Sequence, residues 1–359
     1  MVFPILILLL FILISIFNKF IYFCADVFSG GIFKTIEENC KSVELRNLAE
    51  KMKGTLLHAQ AESTKSKYLK AWLHFKNWQN KHFGSNTFPV PLFHTVLYLQ
   101  FIIDTSKHKS RFYKFLYGIR WAHRKSSFTS PTDASIVKEM TLAAKRLLGR
   151  PTIKKKPVKS SLFENIYSKN IDKIRSDPMK RRDCILLNLT NKGFLRISEL
   201  CNIQRKHVEI KQDSLDIFVP KRKNDPESEG HTICIVKNES ISCAFTATVN
   251  LLKDIPDDPS SFLVFKTIRK KITSEGLSTS YARVLYKNIL ASVLAPEEVK
   301  LMSTHSGKRG GIQDADDAGC SGLDIDCHAG YKSDKSKLDY LDKVKHSKRV
   351  AEKLARLAS

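Results

Sequence analysis

Nowhere in these 359 residues do two cysteines stand at C-x-x-C spacing, although eight are present. That absence removes zinc ribbons and thioredoxin-like redox motifs from consideration. Cys320, Cys327 and His328 lie near one another, but no second ligand pair follows at zinc-finger spacing. We therefore expect no metal and no cofactor, and read the cysteines as reduced, mostly buried thiols of an intracellular protein. Negative charge is also scarce. Asp and Glu number 36 against 60 Lys and Arg, a formal net charge of +24. Such an excess suits a polyanionic partner, with nucleic acid leading and a merely soluble basic protein as the bland alternative. Apolar residues make up 42% and charged residues 27%, the balance of a globular chain, and the length suffices for two domains with real cores.

One long apolar run exists, Val2 to Phe17, and it lacks a basic residue ahead of it. Its length sits at the short end for a membrane span and also fits the core of a signal peptide. Everything downstream conflicts with secretion or anchoring, so a misplaced coding start is the preferred reading. A membrane anchor and a signal sequence stand as alternatives. Residues 1–40 are set aside from the fold argument.

From 41 to 150 the pattern is helical. Ser63 is placed to cap a helix with Tyr68, Trp72, Phe75 and Trp78 on one face, and Lys65, Lys67, Lys70, Lys76 and Lys81 opposite. Leu92–Asp104 reads as a largely buried helix. Ser110–Arg124 turns Phe112, Phe115, Leu116 and Ile119 inward, with Lys107, Lys109, Arg111, Lys114, Arg120 and Arg124 around it. A fourth helix follows the turn at Ser130–Asp133 and ends at Gly149. The aromatics keep helical spacing and read as core. The cations form either a solvated face or a face that tracks phosphates. Residues 151–160 hold Lys154, Lys155 and Lys156 among prolines and read as an extended basic linker.

The stretch 161–345 carries three polar clusters. Helices are expected over Leu162–Ile174 and Arg181–Asn191, with a break at Gly193. Arg196 then stands between apolar neighbours, and Glu199 three residues on shares its face. Either the two are simply an ion pair, or Glu199 holds a guanidinium aimed at a phosphate. Leu215–Val219 and Ile233–Val236 read as a hairpin whose tip carries Lys221, Arg222 and Lys223; a cation there can reach into a groove, and a lysine can donate a proton. Ser278–Val293 is an amphipathic helix. Next comes His305-Ser306-Gly307-Lys308-Arg309-Gly310-Gly311, read as a turn that opens a helix at Ile312 with free N–H groups. Tyr340 follows in a Lys-rich segment, with little expected to pack against it. Residues 346–359 are a basic tail. The fold class expected is mainly α with a small antiparallel β-sheet.

Together these motifs resemble the tyrosine recombinase, or phage integrase-like, family in its eukaryotic mobile-element flavour. Phe194–Leu200 matches the family's G-L-R-I-S-E-L, Lys223 its hairpin lysine, His305 the start of H-x-x-R, Tyr331 its His/Trp position and Tyr340 its nucleophile. The resemblance implies a helical, SAM-like core-binding domain followed by an α+β catalytic domain. It implies attack by Tyr340 on DNA to give a 3′-phosphotyrosine, with Lys223 as proton donor. Arg196, His305 and Lys308 would steady the phosphoryl oxygens, Tyr331 would assist, and Glu199 is the family's acid. Lys65, Lys67, Lys107, Lys109, Arg111, Lys114, Arg120, Arg124, Lys154, Lys155, Lys156, Lys221, Arg222 and Arg309 are candidates for contact with double-stranded DNA. The resemblance further implies a tetramer on paired sites, a nuclear location, and no need for ATP or metal. One departure stands out: Lys308 occupies the place of the second arginine and keeps the charge without the bidentate fork. A catalytically weakened, domesticated DNA-binding protein is the first alternative, and a membrane-anchored or secreted interaction protein the second.

Overall fold

The computed structural model describes Phe28, residues 30–151, 154–222, Asp225, residues 229–331, and Tyr340–Leu341. The apolar run at 2–17, Lys223 and the basic tail lie outside the described residues. No helix among those described is long and apolar enough to cross a membrane. The chain divides into two compact units, Met1–Thr152 and Ile153–Ser359.

The first unit is helical: α1 (Ile32–Asn39), α2 (Val43–His58), α3 (Glu62–Phe83), α4 (Leu92–Asp104), α5 (Lys109–Lys125) and α6 (Ser135–Leu147). Helix α3 starts one residue before Ser63, from Ala61, and stops where Gly84 turns left-handed at φ 68°. Trp72 and Phe75 of α3 are fully buried with Tyr98, Leu99 and Ile102 of α4 and Phe112 and Ile119 of α5. Each such side chain contributes about 1.5–3 kcal/mol on leaving water, so this aromatic core is what holds the helices together. Two expectations fail here. Lys76 is buried, with Nζ 5.8 Å from the Trp72 ring centroid, because its aliphatic stem lies along the core. Helix α4 is only half covered: Leu92, Phe93 and Leu97 are exposed.

The second unit is built around α8 (Pro178–Lys192), in which every residue from Arg182 to Asn191 is buried. Asp177 caps it through Met179 N, with Pro178 at the first helical position. Around it lie α7 (Ser160–Ser176), α9 (Ile197–Leu200), α10 (Ala244–Asp254), α11 (Thr279–Leu290), α12 (Pro296–Lys300), α13 (Thr304–Asp317) and α14 (Gly322–Ala329). The expected hairpin is present as β2 (Ser214–Val219) and β3 (His231–Val236), in antiparallel register Ile217↔Ile233. A third strand, β1 (Val208–Ile210), extends the sheet on the β2 side in the order β1-β2-β3. Leu215, Ile217, Val219, Ile233 and Ile235 alternate onto the buried face. A separate ribbon, β4 (Phe265–Ile268) with β5 (Lys271–Gly276), was not anticipated. The described cysteines are free, but only Cys184, Cys201 and Cys243 of them are buried, while Cys234, Cys320 and Cys327 are exposed.

The glycine pair after Lys308 does not open a helix. Gly310 and Gly311 lie inside α13, whose first residue is Thr304, so their N–H groups are already within the helical ladder. What they provide is close approach. A Cβ on Gly310 would lie 1.8 Å from Val158 O, and one on Gly311 2.0 Å from Asn191 O. That contact fastens residues 154–160 to the second unit. Lys156 N donates to Leu301 O at 2.9 Å, Val158 N to Ser306 O at 2.9 Å, and Asn191 Nδ2 to Val158 O at 3.0 Å. Ser160 N and Oγ donate to Asp314 Oδ2 at 2.9 and 2.7 Å, and Lys159 pairs with Asp317 at 2.7 Å. The basic segment is therefore tied down along α13, and two of the aspartates of that helix hold it.

Gly310→Ala is expected to destabilise the second unit by about 1–3 kcal/mol or more, since backbone atoms must move to admit the methyl. Gly54→Ala, within α2 and facing open space, is expected to add up to about 1 kcal/mol to the first. Trp72, Trp78 and Trp121 are the only tryptophans and all belong to the first unit. Urea unfolding followed by tryptophan fluorescence and by circular dichroism therefore separates the two effects.

Candidate active site

Helix α8 ends at Gly193, and Phe194 follows with a left-handed φ of 48°. This reversal sets Arg196 at the N-cap of α9, whose last turn supplies Glu199. The two are joined twice: Arg196 N donates to Glu199 Oε2 at 2.8 Å and Arg196 Nη1 to Glu199 Oε1 at 2.6 Å. The ion pair read from the sequence is therefore present. Glu199 is buried, which by itself would raise its pKa. The backbone N–H of Arg196 and the charges of Arg196, Arg222 and Lys308 outweigh this and hold it below the usual carboxylate range. Burial works against the Arg196 charge as well, and Glu199 overcomes it, with the Tyr340 and Tyr331 phenols adding to the same effect.

Lys308 is fully buried in α13. Its Nζ has no hydrogen-bond acceptor and lies 4.6 Å from the Tyr331 ring centroid. Burial, reinforced by Arg196 and Arg222 and only partly opposed by Glu199, brings its pKa down to about 7. Tyr331 lies just past α14, its N–H bonded to Asp326 O at 2.9 Å and its buried hydroxyl without an acceptor. Burial and the nearby Tyr340 phenol push its pKa well up, so it remains a proton donor.

Tyr340 does find packing partners. It lies against the small cluster of Phe194, Ile312, Ile325 and Ala329, with its ring 6.3 Å from that of Tyr331 and nearly parallel to it at 25°. Gln313 Nε2 donates to its backbone carbonyl at 3.0 Å, and the Arg309 guanidinium lies 5.9 Å from its ring centroid. Two guanidinium groups and an ammonium thus surround Glu199, and the Tyr331 and Tyr340 phenols lie within electrostatic reach of Arg196. His305, the second residue of α13, is exposed at the same end of that helix.

The sequence-based candidates divide into three groups. Arg196, Glu199, Lys308, Tyr331 and Tyr340 are brought together. Lys223 lies outside the described residues. Of the proposed DNA-contacting cations in the first unit, Lys67, Lys107, Lys109, Arg111, Lys114 and Arg124 are exposed. Lys65 is folded against Glu62 at 2.5 Å. Arg120 is engaged by Thr132 Oγ1 at 2.9 Å, Thr132 O at 3.2 Å and Asp133 at 3.2 Å, so it braces the turn before α6. In the second unit Lys154, Lys155, Lys156 and Lys221 are exposed and Arg309 is half-buried; Lys155 Nζ donates to Lys300 O at 2.6 Å. Arg222 does not project from the hairpin tip toward solvent: it is 7% exposed and faces Glu199. His231 and His328 were not anticipated. His328 Nε2 lies 2.7 Å from Lys192 O and His231 Nε2 3.3 Å from His328 O, which fastens α14 to α8 and β3. No group of three or more His, Cys, Asp or Glu side chains forms a metal cluster among the described residues.

No protein-family model matches the chain, and no curated protein does. Solved structures do. The integrase of the Tn1549 transposon, in complex with transposon right-end DNA, is 15% identical with a TM-score of 0.53, over 91% of this chain and 98% of that one. A lambda integrase dimer bound to a COC′ core site is 15% identical with a TM-score of 0.51, over 82% and 75%. The XerH site-specific recombinase, bound to a palindromic difH substrate after cleavage, is 11% identical with a TM-score of 0.53, over 80% and 78%. The fold is that of the tyrosine recombinases, mainly helical with small antiparallel sheets.

The depressed Lys308 pKa has a definite sign in stability. Below pH ~7 the amine is protonated in both folded and unfolded chains, and the full cost of burying its charge, at most about 5 kcal/mol, is present. Between ~7 and ~10.5 the unfolded chain binds the extra proton, so this cost recedes and stability rises with pH. Lys308→Met is therefore expected to stabilise the protein more at about pH 6 than at about pH 9.5, by roughly 3 kcal/mol. Urea midpoints of both proteins at the two pH values check it.

Proposed function

We propose that this chain is a DNA strand transferase that works through a 3′-phosphotyrosine. The observation that carries the reading is the placement of the Tyr340 phenol beside Tyr331, within the electrostatic reach of Arg196 and above a buried cation cluster. Phosphoryl transfer needs little more from a protein than a nucleophile, positioning and stabilisation of charge on the nonbridging oxygens. The Tyr340 phenol releases its proton to solvent as its oxygen bonds to phosphorus, the bond to the 5′-oxygen breaks, and the departing oxygen takes a proton, from Lys223 by the family resemblance. A 5′-hydroxyl of another strand then reverses the step, so the bond energy is retained. Arg196, oriented by Glu199, clamps one face of the phosphoryl group, with His305, Lys308 and Tyr331 as further donors.

Double-stranded DNA as substrate agrees with the net charge of +24 and with the exposed lysines and arginines around α5, which would position a duplex without reading its sequence. Assembly of four protomers on two duplexes, and work in the nucleus, belong to the same proposal. A second reading is favoured by Lys308: a buried lysine half-discharged near neutrality is a poorer transition-state partner than an arginine. On that reading the protein binds DNA with its chemistry weakened.

A pool of nicked duplexes with randomised centres, incubated with the full chain, separates the two. An adduct that survives denaturation and disappears in Tyr340→Phe is the expected result. No such adduct from the wild type sinks the transferase reading and leaves DNA binding alone. Loss of one transition-state donor typically lowers a rate about a hundredfold or more, so Lys308→Arg is expected to raise adduct yield toward that extent if position 308 limits the chemistry.

A further inference from the structure

Arg222 is held where few side chains could be. Past β2 the buried carboxylate of Asp225 accepts from Glu229 N at 3.2 Å and Gly230 N at 2.9 Å, while Asp225 N donates to Arg222 O at 3.2 Å. Beyond α14, Gly330 makes the space. A Cβ there would lie 1.9 Å from Arg222 Nη1, and its φ of 59° already disfavours other residues. The guanidinium thus delivered has all three nitrogens buried with no hydrogen-bond partner. Its nearest anion is Glu199 Oε1, 3.7 Å from Nε and beyond hydrogen-bond reach, and that same oxygen is already bonded to Arg196.

Around Glu199 the cations outnumber the anion. Arg196, Arg222 and Lys308 converge on the single carboxylate of Glu199. A guanidinium out of water with one loose ion pair and no hydrogen bond costs several kcal/mol, and it persists only where something else is obtained in return. The side chain lines a cavity of about 360 Å³ together with Arg196, His231 and Tyr331, and with the carboxylates of Asp225, Glu229 and Asp326. An anion settling between Arg196 and Arg222 would meet two planar forks and the Tyr331 phenol, against the opposing charge of the carboxylates in the same lining. Lys308 cannot complete such a pair, because an ammonium offers a point charge and no parallel donors.

We infer that Arg222 is the second phosphate-clamping guanidinium of the site, supplying from the hairpin the bidentate fork that position 308 lacks. The inference rests on the phosphoryl-transfer reading of the same cavity. It turns Arg196 and Arg222 into facing clamps on one phosphoryl group, with Glu199 between them as a shared orienting anion. Gly330 becomes a positioning residue for Arg222.

The test uses the full-length chain and inorganic phosphate as the probe, read by thermal unfolding, because ligand binding to the folded state alone raises the midpoint with concentration. In phosphate-free buffer Arg222→Met is expected to unfold at a higher temperature than the wild type, and the rise on adding phosphate is expected to vanish. Arg222→Lys is expected to weaken phosphate binding about tenfold or more, and Arg222→Lys combined with Lys308→Arg to recover most of that loss, since a fork returns to the cluster. The inference is overturned if Arg222→Met unfolds at a lower temperature and still responds to phosphate, which is how a structural ion pair with Glu199 behaves. It is equally overturned if Arg222→Lys binds phosphate as the wild type does. Adduct formation on the nicked pool keeps the two levels apart. A Tyr340-dependent adduct undiminished in Arg222→Met removes Arg222 from the clamp and keeps strand transfer. Phosphate binding that depends on Arg222 without any adduct keeps the clamp and removes strand transfer.

Discussion

One carboxylate organises the centre of this molecule. Glu199 is buried, held ionised by the N–H of Arg196 and by three cations, and it fixes the guanidinium of Arg196 through two separate hydrogen bonds. Without that anion, Arg196, Arg222 and Lys308 would repel one another in a region almost closed to water. With it, the cluster still carries more positive than negative charge. An excess of this kind is costly in the empty protein, and on the proposed function a bound phosphate would offset it, so that the stabilising groups stand ready before the reaction begins.

The surrounding fold can be understood as the means of delivering those side chains. The all-round burial of α8 gives a rigid axis, and the left-handed Phe194 turns the chain at its end so that Arg196 faces inward. Helix α13 approaches α8 and residues 154–160 closely enough to bury Lys308 only because Gly310 and Gly311 have no side chains. The three-stranded sheet aims the hairpin at the same point, and α14, pinned by His328 and His231, carries Gly330 and Tyr331 to it. Each element brings one chemical group, which is why the residues concerned are spread from position 196 to position 340.

Lys308 changes the electrostatic character of the centre. An arginine there would keep its charge at any physiological pH, whereas the buried lysine titrates near 7. The buried Arg222 adds a permanent charge within electrostatic reach of Lys308, so the pair combines one fixed and one adjustable cation.

Much of this was legible in the residues alone. Helical spacing of Trp72, Phe75, Phe112 and Ile119 defined the core of the first unit, alternation defined β2 and β3, and the short separation of Arg196 from Glu199 made their pairing a local matter. Those features depend on neighbours within a few residues, and a sequence states such neighbours directly. The two glycines after Lys308, the inward turn of Arg222, the packing around Tyr340 and the burial of Lys76 were decided by partners far away in the chain. A Lys-Arg-Lys run looks the same whether its middle residue faces solvent or a carboxylate. Only the folded chain brings Glu199, Gly330 and Asp225 around Arg222, because contacts between distant segments exist nowhere until the backbone has closed upon itself.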